Sequence, residues 1–177
     1  LVVFHFAIPA SAGDDAAYGL LWVALVFTAL LGLARAWVPE QEHGVLDGLL
    51  LAPCDRSAIW LGKTLATLAF LLAAQAVALP AFVLFFEPLD VTALAGVLLA
   101  DIGICAVGSL LSAMAAAGRA RELLLPLLFL PLAIPLVVGG VGAAVSEQGE
   151  GFLLFLLLYD AVFAVLSWAS FEYVVTE

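Results

Sequence analysis

Charged side chains are scarce in this sequence, which is 66% hydrophobic and only 11% charged. A soluble domain of ordinary composition is about half apolar and about a quarter charged. The mean hydropathy is +1.24, and the apolar residues form runs of the ~20 residues that cross a bilayer. The sequence therefore predicts an integral membrane protein. Its polar gaps are too short to form a second core, so residues 1–177 are expected to be a single transmembrane domain.

Other residue types that carry chemistry are rare or absent. The chain has no asparagine, so it contains no acceptor for N-glycosylation. Its two cysteines, Cys54 and Cys105, are far apart and lack the spacing of metal ligands. Five Lys and Arg residues stand against fifteen Asp and Glu, and this net charge of −10 argues against a nucleic-acid partner. We find no pattern of nucleophile and base, so we expect that this chain is not an enzyme.

Long apolar spans alternate with short polar breaks along the chain. Complete spans are predicted at residues 18–38, 58–86, 91–117, 123–145 and 152–171. The chain opens inside another apolar run, LVVFHFAIP, which is too short to span. We interpret this run as the end of a first helix whose start is missing. The predicted fold is all-α, a polytopic membrane bundle of six transmembrane helices with the first one truncated.

The basic residues predict the orientation of these spans. All five lie in or next to the breaks after the first and third complete spans, at Arg35, Arg56, Lys63, Arg119 and Arg121. Cytoplasmic loops carry the excess of Lys and Arg in membrane proteins. We therefore expect a multi-pass protein of the cell inner or plasma membrane with both termini in the cytoplasm. The tryptophans are expected to lie in the aromatic belts at the membrane interfaces, namely Trp22, Trp37, Trp60 and Trp168.

The longest polar interruption runs from Arg35 to Lys63. An apolar stripe at helical spacing, followed by Pro53, predicts a short amphipathic helix at the cytoplasmic surface. Such a helix suits a site where another protein acts on the bundle, although a solvated connector remains the alternative. The candidate coupling residues are Glu40, Glu42, His43, Gly44, Leu46, Asp47, Pro53, Arg56 and Lys63.

One tripeptide in this region, Gly62-Lys63-Thr64, has the sequence of the end of a P-loop. The complete motif needs a glycine five residues before Gly62, and position 57 is a serine. We therefore predict no nucleotide site, and ATP-driven transport would depend on a separate ATPase subunit.

Two acidic residues, Asp101 and Asp160, lie about ten residues inside their spans, where an ionisable group is a candidate functional residue. The alternative is a neutral acid, or one that is hydrogen-bonded to Ser109, to Tyr159 or to backbone. Gln75 is expected to form a hydrogen bond between helices. Small residues every four positions predict one closely packed helix face, at Gly108, Ser112 and Ala116. Three prolines predict a bent or mobile helix, at Pro126, Pro131 and Pro135.

Three stretches resemble the heme exporter protein B (CcmB) family, the permease subunit of the cytochrome c maturation ABC transporter. The first is LVVFHFAIP, and the second is the loop pattern Glu42-x-Gly44-x-Leu46-Asp47 with Pro53 and Lys63. The third is PLLFLPLAIPLVVGG, which begins at Pro126. The resemblance covers the whole chain, while the family's N-terminal cytoplasmic segment is not part of it.

This resemblance implies a six-span, ABC-2-like permease with a cytoplasmic coupling helix that contacts a CcmA-like ATPase subunit. It also implies CcmC-like and CcmD-like membrane partners and the delivery of haem to a CcmE-like chaperone. Haem is then a cargo and ATP is bound by the partner. The Trp-rich haem-handling motif of that system belongs to the CcmC subunit, so no cofactor is assigned to this chain. His5 is a candidate haem ligand, although a lone histidine is more often a packing residue.

Other functions remain open at this stage. An ABC-2 type permease with a lipid or drug as cargo has the same composition. A proton-coupled secondary transporter would use Asp101 and Asp160. A passive membrane anchor for an assembly complex would need only the bundle.

Overall fold

The computed structural model describes residues 14–35, 56–86, 88–117 and 121–174. Within these ranges the chain forms helices and no strand. They are α1 (Asp14–Arg35), α2 (Arg56–Phe85), α3 (Val91–Ala117), α4 (Arg121–Val145) and α5 (Gly149–Val174). Each of the five is long and apolar enough to cross a membrane, which confirms the predicted polytopic helical bundle. The apolar run at residues 1–9, with His5, lies outside the described residues.

Four of the five helices begin before the apolar spans that predicted them. α5, for example, begins at Gly149, three residues ahead of the predicted start at 152. Glu150 therefore lies in the first turn of α5, where the partial positive charge of the helix terminus favours an acidic side chain. Hydropathy alone misses such turns because it follows apolar residues, whereas the first turn of a helix is often polar.

The three prolines of α4 lie inside one helix that runs from Arg121 to Val145. Proline lacks a backbone N–H, but a transmembrane helix tolerates it where neighbouring helices satisfy the freed groups. Pro135 frees the carbonyl oxygen of residue 131, and at the next residue the hydroxyl of Tyr159 donates a hydrogen bond of 2.8 Å to the carbonyl oxygen of Leu132. This contact joins α4 to α5 at the part of the helix that the prolines weaken.

α3 is the centre of the bundle and packs against the other four helices. Its buried side chains come from all around the helix and include Val97, Ala100, Ile104, Cys105 and Val107. α2 and α5 instead leave most of their side chains exposed, such as Val77 at 73% and Val165 at 62%. An apolar outer surface of this extent is unusual for a soluble protein and matches hydrocarbon contact in a bilayer.

Glycines allow the helices to pack closely around α3 and α4. The ring of Trp22 in α1 occupies the place where Gly140 in α4 would carry a Cβ atom. In the same way, the side chain of Leu33 in α1 occupies the place where Gly108 in α3 would carry a Cβ atom. The predicted small face of α3 is therefore used for packing at Gly108, and Ser112 is buried as well.

Two of the three described tryptophans are buried among the helices, and Trp37 lies outside the described residues. Trp22 is 2% exposed and belongs to the main core. Trp60 is 8% exposed and packs in a smaller cluster with Ala113 and Phe171. Position near a span end predicts the depth of a tryptophan, but it does not reveal which neighbour covers the ring. Trp168, at 52% exposed, keeps the exposure of an interfacial residue.

The polar breaks collect at two ends of the bundle. The cluster of Trp60, Ala113 and Phe171 brings together the start of α2 and the ends of α3 and α5. At the other end, Asp90 and the segment 146–151 line a common cavity of about 590 Å³. The helices therefore alternate in direction as the charge pattern predicts, with the basic breaks next to the first end and the acidic breaks at the second.

Asp90 fixes the start of α3 at the acidic end. Its carboxylate accepts hydrogen bonds from the hydroxyl of Thr92 and from the backbone N–H of Ala93, the latter at 2.7 Å. These two bonds hold the pKa of Asp90 below its usual value. An acidic side chain that caps a free N–H group in this way stabilises the first turn of a helix.

The contact between Trp22 and Gly140 generates a stability prediction. Replacing Gly140 with alanine should lower the thermal unfolding midpoint of the detergent-solubilised protein, because the new methyl group overlaps the indole ring. Overpacking of this kind costs about 1–3 kcal/mol. The matched control is Gly19→Ala in α1, where nothing lies within 4 Å of the position of a Cβ atom. Equal midpoints for the two variants would contradict the packing described here.

Candidate functional site

The candidate coupling segment leads into α2. Of its predicted residues, the structure describes the backbone of Arg56 and the whole of Lys63. Arg56 is the first residue of α2, and Lys63 lies two turns further along the same helix. Gly62-Lys63-Thr64 is therefore helical and does not form a loop. The remaining coupling residues lie outside the described ranges, namely Glu40, Glu42, His43, Gly44, Leu46, Asp47 and Pro53.

The first polar contact between α2 and α3 lies deep in the bundle. The side-chain amide of Gln75 donates a hydrogen bond of 2.8 Å to Oδ1 of Asp101. Both side chains are buried, at 4% and 3% exposed. This bond confirms the interhelical role predicted for Gln75. Oδ2 of Asp101 has no hydrogen-bond partner in the described part of the chain, so the pair is satisfied on one side only.

A second polar contact joins the same helices nearer the start of α2. The hydroxyl of Thr64 lies 2.8 Å from the carbonyl oxygen of Trp60 and 3.0 Å from the hydroxyl of Ser109 in α3. Ser109 in turn donates to the carbonyl oxygen of Ala106 at 3.1 Å. Thr64 and Gln75 are three helical turns apart, so α2 is tied to α3 at two depths.

Asp160 of α5 is buried against the other side of α3. Its Oδ1 lies where Gly103 would carry a Cβ atom, and Leu136 of α4 lies 2.8 Å from the same position. The side chain is 6% exposed, and neither carboxyl oxygen has a hydrogen-bond partner among the described residues. An ionised carboxylate near the centre of a membrane helix costs about 3 kcal/mol. Gly103 is the residue that makes room for this group, because any other side chain would fill its position.

The two intramembrane acids do not form a common site. Asp101 contacts α2, whereas Asp160 contacts Gly103, and residues 101 and 103 lie about 200° apart around α3. The partners suggested from the sequence were also different. Ser109 bonds to Ala106 and Thr64, and Tyr159 bonds to Leu132. The actual partner of Asp101 is Gln75, because α2 and α3 run antiparallel and bring these two positions to the same depth.

Sequence reasoning missed the polar contact made by Thr64. The only signal for it was a threonine in α2 and a serine in α3 at comparable distances from the break between these helices. Hydroxyl side chains are frequent in membrane helices and usually bond to their own backbone, as Thr67 does to the carbonyl oxygen of Lys63 at 2.9 Å. Only the packing of α2 against α3 identifies Thr64 as an interhelical residue.

Comparisons with known proteins agree with this architecture. The family model described as "CcmB protein" matches residues 1–172, which include all but the end of the fifth helix. "Heme exporter protein B" of Pseudomonas aeruginosa is 35% identical over 157 residues, which are 84% of this chain and 70% of that relative. No solved structure matches the chain. On the family match and the identity to this relative, the chain belongs to the CcmB protein family.

Proposed function

We propose that this protein is the membrane permease subunit of an ABC-type complex that exports haem for cytochrome c assembly. The observation that carries this proposal is membership of the CcmB family, together with the name of the relative, a heme exporter protein. The five membrane-spanning helices supply the scaffold that a permease needs. ATP would be bound by a separate subunit, and haem would be the cargo.

In this proposal, the segment from Glu40 to Arg56 receives the motion of the ATPase subunit. Support comes from its predicted amphipathic pattern and from its place directly before α2. α2 is largely exposed, and it packs against α1, α3 and α5. The two polar contacts with α3, made by Gln75 and Thr64, would then transmit a displacement of α2 to the centre of the bundle. α3 touches every other described helix, so a shift there reaches them all.

The same proposal names the partners and the location. A CcmA-like ATPase would bind the coupling segment on the cytoplasmic side, and CcmC-like and CcmD-like subunits would bind within the membrane. A CcmE-like chaperone would receive haem on the opposite face. The protein would lie in the inner or plasma membrane with both termini in the cytoplasm. The grouping of the basic breaks near one end of the bundle supports this orientation.

The coupling role of the segment can be tested by introducing charged residues into its apolar stripe. Gly44→Glu with Leu46→Glu should reduce the yield of holo-cytochrome c by at least about tenfold, since a charged stripe cannot dock an apolar one. The ATPase subunit should then be lost from the purified full-length complex, as measured by mass spectrometry. The matched control is Gln41→Glu, which adds a charge at a polar position of the same segment. An unchanged cytochrome yield with the double variant would refute the coupling role.

The contact between Gln75 and Asp101 predicts a loss followed by a rescue. Gln75→Leu leaves a buried carboxyl group without its donor, and we expect a destabilisation of about 1–3 kcal/mol. Replacing both residues, as Gln75→Leu with Asp101→Leu, should restore the thermal midpoint because no polar group is left unsatisfied. If this pair only ties α2 to α3, the double variant also keeps its holo-cytochrome yield. A stable but inactive double variant would show that Asp101 itself acts in transport.

One observation favours a second function, proton-coupled transport. Asp160 is buried with no donor in the described part of the chain, as a group that exchanges a proton would be. The position of Asp101 on another side of α3 argues against a relay between the two acids. We therefore expect Asp160→Asn to keep more than about half of the cytochrome yield, since the amide has the same shape. Two results together would favour the proton-coupled carrier. Asp160→Asn would abolish the cytochrome yield at a normal membrane level of the protein, and deletion of the ATPase subunit would leave that yield unchanged.

A further inference from the structure

A cavity of about 460 Å³ lies between α1 and α2. Its lining comes from one face of each helix and is mostly apolar, with two cationic residues, and consists of Leu31, Gly32, Arg35, Lys63, Ala66, Thr67 and Phe70. A space of this size and mixed lining at a lipid-facing surface calls for an amphiphilic occupant.

The charges and the apolar residues are separated along the cavity. Arg35 is the last residue of α1, and Lys63 lies two turns into α2, so both belong to the basic end of the bundle. Phe70 lies seven residues beyond Lys63, about 10 Å deeper in the membrane. There the ring of Phe70 covers Gly32, at 2.7 Å from the position of a Cβ atom. The cavity therefore has a cationic mouth at the membrane surface and an apolar floor within the bilayer.

The walls of the cavity open sideways to the lipid. Leu31 is 64% exposed and Phe70 is 48% exposed, and Ala66 and Arg35 are exposed as well. A molecule of the same leaflet can therefore enter without crossing the protein. Basic pockets between membrane helices on the cytoplasmic side are typical binding sites for acidic lipid head groups.

We propose that this cavity binds an anionic glycerophospholipid, with its phosphate between Arg35 and Lys63 and an acyl chain along Gly32, Ala66 and Phe70. The charge of the mouth selects an anion, and the depth of the apolar floor selects a lipid over free phosphate. The bound lipid would fill the gap between α1 and α2 beside the coupling segment. The proposal rests on the described groove and on the proposed cytoplasmic side of the basic end, and it does not depend on haem as the cargo.

The test uses the full-length protein in nanodiscs that contain equal amounts of phosphatidylglycerol and phosphatidylcholine. Native mass spectrometry should find phosphatidylglycerol retained at least about tenfold over phosphatidylcholine. Arg35→Gln and Lys63→Gln should each lower this retention about fivefold. This is the change in affinity that corresponds to the attraction of one basic residue for an acidic lipid. The matched control is Arg119→Gln, which removes the same charge from the other basic break. Equal retention of the two lipids, or an equal loss with Arg119→Gln, would overturn the proposal.

A second pair of variants tests the apolar part while leaving both charges in place. Ala66→Leu fills the groove and should release the lipid, whereas Ala69→Leu changes an exposed position of α2 that does not line the cavity. Both sites are exposed, so folding should be unaffected.

Competition then separates the sources of the anion. Inorganic phosphate at millimolar concentration should not displace the lipid. Displacement by phosphate would assign the cavity to free anions, and displacement by micromolar haemin through the same residues would assign it to haem. Either of these results would refute the lipid proposal, as would unchanged retention in Ala66→Leu.

Discussion

Close packing of large side chains onto glycine backbone is the constraint on which this bundle depends. In a bilayer the hydrophobic effect does not drive helices together, so their association relies on van der Waals contact and on a few polar contacts. Trp22 packs onto Gly140 and Leu33 onto Gly108 in the same way that the carboxyl group of Asp160 packs onto Gly103. These glycines bring α1, α4 and α5 close to α3. The large core side chains and the buried carboxyl group of Asp160 are thus accommodated in the same way, by the missing side chain of a glycine.

α2 is joined to α3 through polar side chains, and like α5 it leaves most of its surface exposed. Few of its side chains are buried, and the contacts of Gln75 with Asp101 and of Thr64 with Ser109 supply polar links to α3. Such a helix can shift at a lower energetic cost than one buried on all sides, because few interdigitated side chains must repack. It also follows directly on the segment predicted to receive a partner protein. The mechanical role proposed for α2 is therefore supported by its packing as well as by its position in the chain.

Exposed charged side chains lie at the ends of the helices. At the basic end, Arg35 and Lys63 line one lipid-facing cavity that becomes apolar with depth. At the acidic end, the carboxylate of Asp90 accepts a hydrogen bond from the backbone of α3. Charge thus has two different uses in this protein. At the basic end the charged side chains line an exposed cavity. At the acidic end the carboxylate of Asp90 caps the first turn of α3.

The sequence by itself determined the membrane class, the five spans and the distribution of charge between the two ends, because hydropathy and basic residues act locally along the chain. It also singled out Gln75, Asp101 and Asp160, since polar groups in hydrocarbon are rare. Only the tertiary structure decided that Asp101 bonds to Gln75 and that Trp22 is a core residue. The physical reason is that a side chain's partner depends on how two helices are rotated and offset against each other. Long apolar helices carry almost no periodic signal for that rotation, because lipid and protein interior are equally apolar.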